Sequence, residues 1–132
     1  MSHVRTLSRS LLALAGLVSL MAAMPARESL FHTGLVKSDP AKNDTLTVAP
    51  KVMRFWFSER VDLAVTTIKV ANAGGAVIAL SPLTRPDTAA KAPILTDVVG
   101  AVPAGTYTVS WITAGHDGHP AKGKYEFVVK AK

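Results

Sequence analysis

After residue 26 no segment keeps an apolar repeat of helical period across three turns. Apolar positions instead alternate with polar ones in short runs separated by Gly, Pro, Asn and Asp. In Val52–Ser58 (VMRFWFS), Met53, Phe55 and Phe57 share one face and Arg54 and Trp56 the other, the period of two that a half-buried strand needs. Leu63–Ala71 repeats the pattern, with Thr66, Ile68 and Val70 set against Thr67 and Lys69. Asn72–Gly75 (NAGG) reads as a hairpin turn from which Ala76–Leu80 returns. Ser81–Pro93 carries Pro82, Pro86 and Pro93 and reads as a loop, and Ile94–Val99 as a strand. Pro103–Gly105 turns the chain into Thr106–Thr113, where Tyr107, Val109 and Trp111 align. Lys124–Lys130 closes the series with Tyr125, Phe127 and Val129 on one face. Short strands near Leu35–Lys37 and Thr45–Val48 bring the total to about seven. Turn signals recur every 8–12 residues, the spacing of an all-β, immunoglobulin-like antiparallel β-sandwich.

The first residues follow a different pattern. Met1–Ser10 carries Arg5 and Arg9 and no acid, Leu11–Met24 is apolar except for Ser19, and Ala26 is followed by Arg27–Glu28. A basic start, a short apolar run and small residues before a charged pair form a secretory signal peptide. Fourteen helical residues reach only about 21 Å, short of the roughly 30 Å hydrocarbon core. The expected organisation is a cleaved leader over 1–26, or a cut after Ala23, and one exported domain over 27–132 with no stable membrane insertion.

Composition narrows the functions open to such a domain. The chain has no cysteine, which excludes a disulfide framework, a thiolate nucleophile and a cysteine-ligated zinc or iron–sulfur site. Neither a phosphate-binding GxxxxGK[ST] loop nor GxGxxG occurs. Net charge is +6, and removing Arg5 and Arg9 leaves +4. The remaining cations are scattered apart from Lys122, Lys124, Lys130 and Lys132. For an exported domain that charge means solubility and weak steering, with no nucleic-acid partner.

Candidate chemistry concentrates in Ala114–Pro120 (AGHDGHP), between the last two strands. In extended chain, residues two apart point the same way, so Asp117 and His119 would offer an oxygen and an imidazole nitrogen to one cation, with His116 directed elsewhere. The same composition also suits a solvated loop. Glu59, at the end of the VMRFWFS strand, reads as a ligand, a turn residue or half of a surface ion pair with Arg60. His32 is a further imidazole near the start of the domain. Met53 is the only methionine after residue 26 and lies on the aromatic face of its strand, a core position. Imidazoles and carboxylates without sulfur suit Cu(II) or Ni(II), with zinc as an alternative. No GxSxG elbow or Cys–His pair supports nucleophilic catalysis, so the chain reads as a binding protein and not an enzyme.

The order His32-x-x-Leu35-x-x-Ser38-x-Pro40, Phe57-Ser58-Glu59, Pro103-Ala-Gly-Thr-Tyr-x-Val-x-Trp111 and Asp117-x-His119-Pro120-x-x-Gly123 resembles the periplasmic copper-resistance protein CopC family over about Phe31–Val129. The resemblance implies a seven-stranded Greek-key sandwich that binds Cu(II) near one end. It implies His32, Asp117 and His119 as ligands with Glu59 nearby, a monomer in the periplasm, and delivery to a CopD-type inner-membrane copper transporter. Two departures matter. The Met-rich loop of members with a Cu(I) site is absent, which aligns the chain with Cu(II)-only members. A cut after Ala26 also leaves five residues ahead of His32, so its amine would not be a ligand, and His116 becomes the substitute nitrogen donor. The alternative is an exported interaction module that has no physiological copper.

Overall fold

The computed structural model describes residues 33–132. The expected leader over 1–26 and the candidate ligand His32 lie outside the described residues. The seven strands are β1 (Leu35–Asp39), β2 (Thr45–Leu46), β3 (Val52–Phe57), β4 (Thr67–Asn72), β5 (Ile94–Asp97), β6 (Gly105–Ala114) and β7 (Pro120–Val129). They form a three-stranded sheet ordered β1-β3-β5 and a four-stranded sheet ordered β2-β7-β6-β4.

The alternation read in the sequence is the burial pattern of the strands. Met53, Phe55 and Phe57 of β3 are buried, as are Tyr107, Val109 and Trp111 of β6 and Tyr125, Phe127 and Val129 of β7. These inner faces meet in one core that also takes Val61, Ile68, Val70 and Ile94. Burying each large apolar side chain contributes about 1.5–3 kcal/mol, so nine such positions on three strands hold the two sheets together without a cross-link. Phe57 meets Trp111 edge-on across the sheets, with ring centroids 5.3 Å apart, and Tyr107 stacks on Phe127 within its own sheet at 5.4 Å.

Tyrosine hydroxyls inside such a core need acceptors, and both find backbone. Tyr107 donates to the carbonyl of Pro103 at 2.5 Å, and Tyr125 donates to that of Pro40 at 2.9 Å. Each ties a loop onto the sandwich. Gly123 stands opposite Trp111 in the β6–β7 ladder, and a β-carbon there would come within 2.6 Å of the indole. Any side chain at 123 would collide with the ring.

Three local expectations need correction. β2 runs parallel to β7, with Thr45 opposite Val128 and Leu46 opposite Val129, so the sandwich is not wholly antiparallel. Leu63–Val65 is a turn of 3-10 helix, capped by the Asp62 carboxylate on the Ala64 amide, and β4 starts only at Thr67. Capping by Asp62 gives the chain a local hydrogen bond that competes with strand pairing. Ala76–Leu80 returns from the Asn72–Gly75 turn but makes only isolated bridges, Ala71 with Val77 and Leu80 with Val98. The second bridge reaches the other sheet, so this segment crosses between sheets and does not extend one.

Candidate metal centre

The β6–β7 hairpin pairs ten residues without interruption, from Gly105 opposite Val129 to Ala114 opposite Pro120. It projects 115–119 from one end of the sandwich. At the same end β3 runs out into Ser58 and Glu59, and the chain enters β1 through Thr33 and Gly34. These two segments are stitched together: the Ser58 amide donates to the Gly34 carbonyl at 2.8 Å, and the Gly34 amide donates to Ser58 Oγ at 3.0 Å.

The projecting loop is a turn and not extended chain. The Gly118 amide donates to the Gly115 carbonyl at 3.0 Å, and Gly118 takes φ +76°, the left-handed region that glycine enters without steric cost. Asp117 and His119 do converge, but by this turn and not by strand alternation. Oδ1 of Asp117 accepts the His119 amide at 3.0 Å, and Oδ2 lies 2.9 Å from His119 Nδ1. The amide bond first, and then the ring, hold the Asp117 carboxyl below its ordinary value. Both side chains are exposed, His119 to 80%, so an ion could reach the pair from solvent without opening the fold.

A separation of 2.9 Å suits chelation. Donors at the roughly 2.0–2.1 Å bond length of a divalent transition metal subtend about 90° at that spacing, the angle between neighbouring positions of a tetragonal site. The turn survives such binding, because Oδ1 and the His119 amide take no part in it.

Glu59 occupies the root of the loop. Oε1 accepts the hydroxyl proton of Thr33, and the carboxylate lies hard against Gly115, where a β-carbon would overlap both Oε1 and Thr33 Oγ1. Glu59 therefore makes no ion pair with Arg60; it joins three parts of the chain: the segment entering β1, the end of β3 and the histidine loop. Thr33 and Gly115 are the residues that sequence reasoning did not single out. The only signals for them were their positions next to His32 and His116.

His116 takes a different side of the loop. It lines an open groove of about 740 Å³ together with Arg60, Asp62, Leu63, Val65 and Arg85. Among the described residues, no three His, Asp or Glu side chains lie close enough to hold one metal ion between them. Asp117 and His119 thus bring two donor atoms together, and no third ligand-type side chain among the described residues joins them. Met53, the only sulfur in 33–132, is 1% exposed and out of reach of any such ion.

Comparison with known proteins gives the family. A CopC domain model matches residues 35–130, which run from the start of β1 to just beyond β7. Protein YobA of Escherichia coli K12 is 32% identical over 99 residues, covering 75% of this chain and 79% of that protein. The crystal structure of CopC from Methylosinus trichosporium OB3b superposes with a TM-score of 0.66 at 25% identity, over 75% of this chain and 94% of that one. PcoC of Escherichia coli, a methionine-rich copper resistance protein, superposes with a TM-score of 0.64 at 27% identity, over 75% of this chain and 99% of that one. Among the described residues no helix is long and apolar enough to cross a membrane. Family model and fold agree, and the chain belongs to the CopC family of copper-resistance proteins.

Proposed function

We propose that the chain is a periplasmic Cu(II) carrier that captures the ion at the histidine-loop end of the sandwich and releases it to an inner-membrane transporter of the CopD type. The observation that carries this reading is the tie between Thr33, Glu59 and Gly115. It anchors the residue that follows His32 at the root of the loop that presents Asp117 and His119. His32 directly precedes Thr33 in the sequence, and on this reading it supplies the third ligand. Three ligands from two segments, all nitrogen or oxygen, favour the oxidised ion. Glu59 supports the site from beneath or completes it as a fourth donor.

Binding on this reading is a displacement. The ion needs Nδ1 of His119 free of hydrogen: in the neutral ring that hydrogen moves to Nε2, and the protonated ring releases one proton to solvent, so affinity falls in acid. Function is capture and transfer, with no turnover. Export through a leader over 1–26 would put the domain in the compartment where such capture is useful.

The test is an electron paramagnetic resonance titration with Cu(II) on protein processed in a bacterial periplasm, with its intact mass recorded. One equivalent of tetragonal copper with nitrogen hyperfine structure, retained against a competing chelator, supports the reading. The mass then gives the processed N-terminus. Copper that passes directly to the chelator would leave an exported interaction module as the function.

A further inference from the structure

The groove beside the histidine loop takes no part in the copper capture proposed above. Its walls are the Arg60–Val65 segment, Arg85 and the near side of the loop at Gly115 and His116. Arg85 reaches over 24 residues to donate Nη2 to the Val61 carbonyl at 2.8 Å, and Arg60 donates Nη1 to the Thr88 carbonyl at 3.4 Å. Each contact engages one of five guanidinium donors. Neither arginine has a carboxylate partner among the described residues. Asp62, the acid in the groove, spends Oδ1 on the Ala64 amide. Partial burial and then the neighbouring Arg60 charge lower the pKa of Arg85, against the pull of Asp62. Two like charges are thus held together at a cost that Asp62 offsets only in part.

The lining of the groove includes the apolar Leu63, Val65 and Ala114, and Val65 is 52% exposed. The groove is an open trough. A small anion would stay largely in water there, whereas a protein segment closes the trough with its own surface. Arginines already fixed by backbone contacts lose less freedom on binding than mobile ones, and arginine is among the residues that dominate interface energetics.

We infer that this groove is the docking surface for an acidic, partly apolar segment of the protein that exchanges copper with this chain, with Arg60 and Arg85 taking its carboxylates and Leu63 and Val65 its apolar side chain. The inference rests on the carrier reading for the partner's role. His116, on this account, faces the partner and not the ion. Gly115 and His116 border the docked segment, and Asp117 and His119 follow them directly in the turn.

The test is an amide NMR titration of the whole processed protein, at low ionic strength, with the blocked peptide Glu-Asp-Leu-Glu-Asp and its amidated counterpart Gln-Asn-Leu-Gln-Asn. The acidic peptide should shift Arg60, Leu63, Arg85 and His116, and the amidated peptide should not. The double variant R60Q/R85Q should weaken acidic-peptide binding about tenfold or more while retaining Cu(II) as wild type does. Should R60Q/R85Q fail to fold, R60K/R85K, which keeps charge but not the fork geometry, takes its place and should weaken binding less. Shifts confined to Lys122 and Lys124, equal binding of both peptides, or unchanged binding by the double variant would overturn the inference. Loss of the carrier reading looks different: the peptide shifts persist while wild-type protein retains no Cu(II).

Discussion

Gly115 lies against the carboxylate of Glu59 so closely that a β-carbon at 115 would overlap Oε1 and stand 2.9 Å from Cδ. The partner atoms are not the free end of a flexible chain, because Oε1 is held by Thr33. Gly115→Ala must therefore push Glu59, Thr33 or the loop out of place. Overpacking of this kind costs about 1–3 kcal/mol. Gly115→Ala should melt several degrees below wild type in a calorimetric scan and bind Cu(II) more weakly. The control is Gly118→Ala. It meets no atom within 4 Å but must hold φ +76°, which costs about 1–2 kcal/mol. That change should disturb the Asp117–His119 pair and leave the Thr33–Glu59 contact intact. Equal copper affinity in Gly115→Ala and wild type would separate Glu59 from the site.

The two loop donors should behave as a unit. His119→Ala removes the nitrogen of the chelate and Asp117→Asn the charged oxygen, and each should weaken Cu(II) by at least the roughly 10–100-fold that even the loss of a ligand's supporting partner costs. The double variant should be little worse than His119→Ala alone, since one donor without the other cannot chelate. His116→Ala should change affinity little, because His116 lines the arginine groove. Competition titrations against a chelator of known affinity read all four. A His116→Ala loss as large as that of His119→Ala would move the site to the other side of the loop.

Most of this fold was legible from alternation alone, since buried side chains every second residue in β3, β6 and β7 leave no other face to bury. The pairing of β2 with β7 was not, because two residues, Thr45 and Leu46, carry no periodicity that could give direction. Nor was the 3-10 turn at Leu63–Val65, where an apolar run continued the strand pattern and only the Asp62 cap opposed it. Asp117 and His119 do meet, but not for the reason that the spacing suggests. Extended chain predicts that they share a face, and in the structure the left-handed Gly118 and the Asp117–His119 amide bond bring them together. The sequence left Glu59 open between ligand, turn and ion pair, because Thr33 becomes its neighbour only when β1 pairs with β3, and Gly115 only when the two sheets close.

The depressed Asp117 pKa gives the loop a pH signature. A carboxyl stabilised in its charged form contributes above its ordinary value, and the contribution is lost as pH falls through the lowered one. The causes are the His119 amide and ring, so the loss should appear at those groups. In metal-free protein the His119 amide proton should keep its hydrogen-bonded chemical shift as ordinary carboxylates protonate, then lose it at lower pH. Asp117→Asn should abolish that transition while the rest of the spectrum stays folded. A His119 amide that titrates together with exposed carboxylates would mean that the turn is not held in solution.

At the other pH extreme the controlling group is Tyr125. Burial raises its pKa to about 12, with nearby Asp39 and Asp44 adding to the rise and a Ser38 hydrogen bond opposing it. An unfolded tyrosine ionises near 10, so the native state binds the proton more tightly over the interval between. Stability from this group is therefore complete below about pH 10 and declines as pH rises toward about 12. Tyr125→Phe removes the ionisable hydroxyl and its bond to the Pro40 carbonyl. It should lower stability at neutral pH by about 1–2 kcal/mol, because that buried carbonyl loses its donor. The alkaline decline should also flatten, with the remainder due to Tyr107, whose pKa burial also raises. Urea unfolding at neutral pH and at pH values between 10 and 12 measures both effects. A variant that is weaker at neutral pH yet declines as steeply as wild type would show that Tyr125 does not carry the alkaline loss.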